Sequence, residues 1–119
     1  MVLNTVTWFE IATDDPGRAQ RFYGGLFGWA FAAAPAMGTG YHLIGYPGAE
    51  RPAGGLFDTR GRFPAHAIFH VQVADVEETC RQAESSGGRV LAKVVGTGPD
   101  FACLLDTAGN RFGVFTPKR

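Results

Sequence analysis

The sequence predicts an α+β fold: two βαβββ modules forming a curved mixed sheet around a cleft. Three observations predict it. Residues 5–28 and 65–88 follow one plan of short strand, Asp at a helix start, amphipathic helix and Gly stop. The two stretches hold a constant offset of 60 residues, pairing Glu10 with His70, Asp15 with Asp75 and Gly28 with Gly88. Short β-type segments separated by turn residues follow each helix. A fixed period over most of a chain marks two copies of one unit. The chain of 119 residues is therefore read as one domain, with module 1 over residues 1–60 and module 2 over residues 61–119.

Composition narrows the function classes. Apolar residues make up 45% of the chain, enough for a packed core and against disorder. Eleven basic residues balance eleven acidic ones without a basic run, which argues against nucleic acid or an anionic membrane as partner. The N-terminal residues lack the pattern of a secretory signal, and no apolar stretch approaches the ~20 residues of a membrane span. A cytoplasmic protein is expected. Cys80 and Cys103 lack metal-binding spacing and read as two small buried, reduced thiols.

Taken in order, residues 2–13 alternate as a strand, with Thr7, Phe9 and Ile11 on one face and Val6, Trp8, Glu10 and Ala12 on the other. Asp15 caps a helix that has Pro16 at its first position. Ala19, Phe22, Tyr23, Leu26 and Phe27 form its apolar stripe and are expected in the core. Gly28 ends it. Residues 29–34, 41–46 and 53–58 are strands, with a turn over 35–40 and a Pro- and Gly-rich loop over 47–52. Gly54 and Gly55 signal a bulge, or a place where something approaches the backbone closely.

In module 2, residues 65–73 are a strand with Ala67, Phe69, Val71 and Val73 on one face and His66, Ile68, His70 and Gln72 on the other. Asp75 and Glu78 have capping-box spacing. Val76, Cys80 and Ala83 form the inner stripe of the second helix, which Gly87 and Gly88 end. Residues 89–95 and 101–106 are strands, and residues 111–116 close the chain as an edge or pairing strand.

Each helix needs a sheet face to cover, and the apolar faces holding Phe9, Ile11, Phe69 and Val71 suit that. The opposite faces, with Trp8, Glu10, Ile68, His70 and Gln72, then line the cleft. A carboxylate, an imidazole and an amide facing inward need partners or water, so a solvated ligand cavity accounts for them better than a dry core.

Three stretches carry a family resemblance: WFEIATDDPGRAQRFYGGLFGW near the start, VQVADVEETCRQAESSGGRV in module 2, and the closing DTAGNRFGVF. They resemble the vicinal oxygen chelate superfamily, which groups glyoxalases, bleomycin resistance proteins and extradiol dioxygenases. The resemblance implies the glyoxalase/bleomycin resistance/dihydroxybiphenyl dioxygenase-like fold and a homodimer. Metal-using members place His, Gln or Glu ligands on the first and last strands of each module. The corresponding positions here are Trp8, Ile68, Gly113 and Gly55 or Leu56, none of which carries a ligating side chain. No metal and no cofactor is therefore expected. A displaced divalent site would draw on Glu10, His70, His42, His66 and Asp58.

Two functions follow. The first is a metal-independent small-molecule binding protein that sequesters an aromatic or antibiotic-like ligand, as bleomycin resistance proteins do. Its cleft would be lined by Trp8, Glu10, Ile68, His70, Gln72 and Phe101. Trp8 would either stack on a planar ligand or fill the space of the lost metal. The second is a glyoxalase-type lyase, isomerase or dioxygenase that uses the displaced metal or Glu10 and His70 as a catalytic acid–base couple.

Overall fold

The computed structural model describes residues 2–117, which form two compact units. The first unit is residues 9–67; the second joins residues 2–8 to residues 68–117. The repeat divides the sequence near residue 60, but the compact units follow the hydrogen bonding of the first strand, β1 (Thr5–Thr13). Its end, Phe9–Thr13, pairs in parallel with Gly54–Asp58. Ahead of it, the Asn4 amide donates to the Gln72 carbonyl at 2.7 Å.

In the first unit β1 leads into α1 (Pro16–Phe27), β2 (Ala30–Ala33), β3 (Tyr41–Gly45) and β4 (Gly54–Asp58), in the spatial order β2-β3-β4-β1. The expected turn contains a short 3₁₀ helix at Pro35–Met37. Asp15 caps α1 by accepting from the Arg18 amide at 3.1 Å. At the other end Gly28 takes the left-handed φ of 70° and returns its N–H to the Gly24 carbonyl, a conformation that Gly adopts without a Cβ clash. Ile11, Ile44 and Leu56 form the core with Phe9, Ala19, Tyr23, Trp29 and Phe31 around them. Trp29 lies 5.4 Å from Tyr23 and 5.7 Å from Phe9, centroid to centroid, closing the space between helix and sheet.

Two expectations fail in this unit. Phe22, Leu26 and Phe27 are not core: they are 60%, 59% and 53% exposed. The apolar stripe of α1 is wider than the contact. Ala19 and Tyr23 meet the sheet, while Phe22 and Leu26, one turn apart, point outward. There is also no bulge at Gly54 and Gly55, since both sit in unbroken register with β1 and β3. The other reading of those glycines holds. A Cβ on Gly54 would strike the Phe9 carbonyl and ring, and one on Gly55 would coincide with the Tyr41 hydroxyl.

The second unit contains β5 (His66–Gln72) from Ile68 onward, α2 (Val76–Ser85), β6 (Arg89–Val94), β7 (Asp100–Leu105) and β8 (Arg111–Thr116), ordered β5-β8-β7-β6. β8 is thus an inner strand, parallel to β5 and antiparallel to β7, and not an edge. Val73, Val76, Cys80, Ala102, Leu104 and Val114 form the core beneath α2. Val71 packs against this core, but Phe69 stands 47% exposed and stacks on Phe112 at 6.0 Å. α2 has ten residues, too few to reach along the whole strand. Asp75 accepts from the Glu78 amide at 3.0 Å, whereas the Glu78 carboxylate turns to Arg81, so the capping box forms in one direction. The register of the β6–β7 pair breaks between Val90 and Ala92. Cys103 departs from the reading as a buried thiol: Cys80 is buried, Cys103 half-buried. Among the described residues, no helix is long and apolar enough to cross a membrane.

The turn before β8 depends on one carboxylate. Asp106 accepts from the amides of Asn110 and Ala108 at 2.8 and 2.9 Å and from the Asn110 side chain at 3.0 Å. The Asn110 amide, then its side chain, then the Ala108 amide hold this carboxyl below its usual range. A depressed folded value stabilises at neutral pH and loses that contribution as pH falls through it. Asp106→Ala is accordingly expected to lower the urea midpoint at pH 7, with the difference shrinking as pH falls below 3.8.

Candidate functional site

Strand register arranges the chemistry of each unit on the face away from its helix. In a sheet, residues side by side on neighbouring strands point the same way. In the second unit one such row runs His70, Gly113, Cys103, Ala92 across four strands. The next row runs Gln72, Phe115, Phe101, Val94. Ala102, Leu104 and Val114 face the other way, into the α2 core. Two cations, Arg111 and Arg89, pair with Leu105 in the following row.

The first unit repeats these rows. Glu10, Gly55, Leu43 and Ala32 form one; Ala12, Phe57 and Tyr41 form the other. Tyr41 is buried, stacks on Phe57 at 6.1 Å and donates its hydroxyl to Glu10 Oε2 at 2.7 Å. Reaching Glu10 takes the hydroxyl directly over Gly55. In the second unit the His70 ring covers Gly113 in the same way, and a Cβ there would coincide with the imidazole. Both glycines are therefore required by a polar side chain lying across the strand. Such charge-assisted bonds as Tyr41 to Glu10 are shorter and stronger than neutral ones.

Each sequence-predicted residue has a definite place. Trp8, Ile68, His70, Gln72 and Phe101 belong to the second unit and Glu10 to the first. His70 and Gln72 are each 8% exposed, and Phe101 is 46% exposed. Gln72 accepts from the Thr7 hydroxyl at 3.2 Å, so its amide is held by the start of β1. Trp8 and Ile68 are half-buried. Tyr41 was not among the expected site residues. The repeat offset pairs it with Phe101, and that correspondence is the signal that points to it.

The alternative metal donors do not converge within the first unit. His42 pairs with Leu56 and Ala33 on the helix-covered face, opposite Glu10, and its Nδ1 is buried with no hydrogen-bond partner. His42 is half-buried on that face. Asp58 accepts from the Arg60 amide at 2.8 Å. The His66 ring stacks on Phe63 at 5.6 Å. Among the described residues, no group of three or more His, Cys, Asp or Glu side chains is placed to hold an ion. At Gly55 and Gly113 the room a ligand side chain would need is taken by Tyr41 and His70.

Known proteins resemble this chain over nearly its full length. The sequence model of the glyoxalase-like domain matches residues 8–115. A glyoxylase-like domain-containing protein of Didymella fabae is 33% identical over 125 residues, covering 98% of this chain and 97% of that protein. The putative glyoxylase CFP32 of Mycobacterium bovis is 30% identical over 117 residues, covering 95% of this chain; the chain spans 44% of that relative's length. The crystal structure of methylmalonyl-CoA epimerase from Mycobacterium tuberculosis superposes with a TM-score of 0.62 at 17% identity, covering 100% of this chain and 94% of that one, a likeness of fold alone. By its sequence and by the paired βαβββ arrangement, the chain belongs to the glyoxalase-like domain family of the vicinal oxygen chelate superfamily.

Proposed function

We propose that this domain binds a small, planar organic molecule without the help of a metal ion. The observation that carries this reading is the occupation of the two last-strand positions. Gly55 and Gly113 offer no donor, and Tyr41 and His70 lie across them. The face of the second unit supplies what small-molecule sites usually offer, apolar and aromatic walls with a few polar anchors. Phe101 and Phe115 stand next to His70 and Gln72 in adjoining rows. Trp8, on β1, adds a ring able to stack on a flat ligand. The exposed Phe22, Leu26 and Phe27 of α1 support a homodimer, because exposed apolar patches mark interaction surfaces.

A second reading draws on the hydrogen bond between Tyr41 and Glu10. A carboxylate held by a phenol is a candidate general base with a proton donor at hand, which suits proton-transfer chemistry such as isomerisation. His70 is the corresponding residue of the other unit.

Metal analysis of the purified protein, with thermal shifts against Zn, Ni, Mn and Fe, tests the first reading. No bound stoichiometric metal and no stabilisation by any of the four are expected. A stoichiometric metal, or stabilisation by one, overturns it. For a planar ligand found by thermal-shift screening, Trp8→Ala is expected to weaken binding by about tenfold, the scale of a lost aromatic contact. Unchanged affinity removes Trp8 from the site.

A further inference from the structure

We propose that His70 and Cys103 form an imidazole–thiol pair across Gly113, and that Cys103 is the reactive thiol of the chain, taking soft electrophiles such as activated alkenes. The pair stands apart from the ligand reading, because its chemistry is read on the thiol itself.

Register carries the geometry. His70 pairs with Gly113 on β5 and β8, and Cys103 pairs with the same Gly113 on β8 and β7. All three lie on the face away from α2. With a side chain at position 113, the imidazole and the thiol would be separated by it. Gly113 has none, and the His70 ring occupies that room. Directly paired residues have Cβ atoms about 4.5–5.5 Å apart, so a ring at the Cβ position of residue 113 is within reach of the Cys103 sulfur. The corresponding row of the first unit has Leu43 where this one has Cys103, so the pair exists in one unit only.

Two guanidinium groups share the face of the thiol. Among the described residues of the second unit, the charged and titratable groups on this face of the strands packed about Cys103 are His70 of β5, Arg111 of β8 and Arg89 of β6. Arg111 and Arg89 lie one row away, both beside Leu105. Lys93, paired with Ala102, is on the other face and bonded to Glu77. Asp100 is paired with Thr116 on that other face and accepts from the Gly96 amide. Cationic neighbours lower a thiol's pKa, and partial exposure gives reagents access. Cys80 is the internal contrast: it is 3% exposed beneath α2, and burial pushes its thiol upward.

The reaction balances without a co-reactant. Cys103 passes its proton to the His70 imidazole, and the thiolate attacks the β carbon of an α,β-unsaturated carbonyl. The C–S bond forms as the C=C π bond breaks. Its electron pair moves to the carbonyl as an enolate, and the proton returns from the imidazolium to the α carbon.

N-ethylmaleimide, itself an activated alkene, is the probe. Labelling of the native protein is followed by peptide mass spectrometry from pH 5 to 9. Cys103 is expected to react first, with a rate that levels off at a midpoint below the ordinary thiol value of about 8.5. His70→Asn is expected to raise that midpoint and slow labelling at pH 7 by about tenfold, while Cys80 in the same molecules is unchanged. Faster labelling of Cys103 than Cys80 with an ordinary midpoint reflects exposure alone and overturns the proposal, as does a wild-type Cys103 that stays unlabelled. The wild-type profile decides even if His70→Asn does not fold, and His70→Gln supplies a second variant.

Discussion

Gly113→Ala is expected to lower the unfolding free energy by about 1–3 kcal/mol, the usual cost of forcing an extra carbon into packed space. Gly113 is buried, and the added Cβ coincides with a ring that is itself 8% exposed. Neither the strand nor the imidazole can yield without breaking a packed contact. Urea denaturation reads the loss. Gly25→Ala is the control, because a Cβ there meets nothing within 4 Å and replaces Gly in a helix. It is expected to be neutral or stabilising by up to about 1 kcal/mol. Combining Gly113→Ala with His70→Ala should cost less than the sum of the two, since truncating the ring opens the room that the new methyl needs. Contacting residues show couplings of about 0.5–3 kcal/mol. Strict additivity would show that the ring is not what Gly113 accommodates.

Leu56→Ala is expected to be costlier, at about 2–5 kcal/mol, because it removes a large side chain and leaves a cavity. Leu56 is fully buried between Ile11 and Ile44 beneath α1. It is in register with Ile11 on one side and His42 on the other, so collapse around the cavity would disturb both strand pairings. The same substitution at Leu91, which is 38% exposed at the β6 irregularity, is expected to cost under about 1 kcal/mol. Equal losses at both positions would refute this picture of the core.

The two positions differ in how far they were legible beforehand. Leu56 lies in a strand that composition and flanking turn residues identified, although its alignment with the usual metal position was left between it and Gly55. Gly113 was recognised as a non-ligand, but not as the floor beneath His70. The reason is physical: the occupant of that space comes from a strand more than 40 positions earlier, and no local pattern records the register between them. Tyr41 and Glu10 are a parallel case. Both are recognisable as strand residues, yet their bond depends on β3, β4 and β1 lying side by side. The same limit explains α1, where spacing revealed an apolar stripe without showing which part of it meets the sheet.

The sequence by itself determined the repeat, both helix starts at Asp15 and Asp75, the stop at Gly28 and the succession of strands along the chain. These follow from short-range chemistry, in which caps, turns and periodicity act within a few residues. Only the tertiary structure decided which side chains share a row, that Tyr41 and His70 lie over glycines, and that Phe22 and Leu26 face outward. Those outcomes depend on pairing between distant strands, where side chains compete for the same few cubic ångströms and the backbone position lacking a Cβ is the one that admits them.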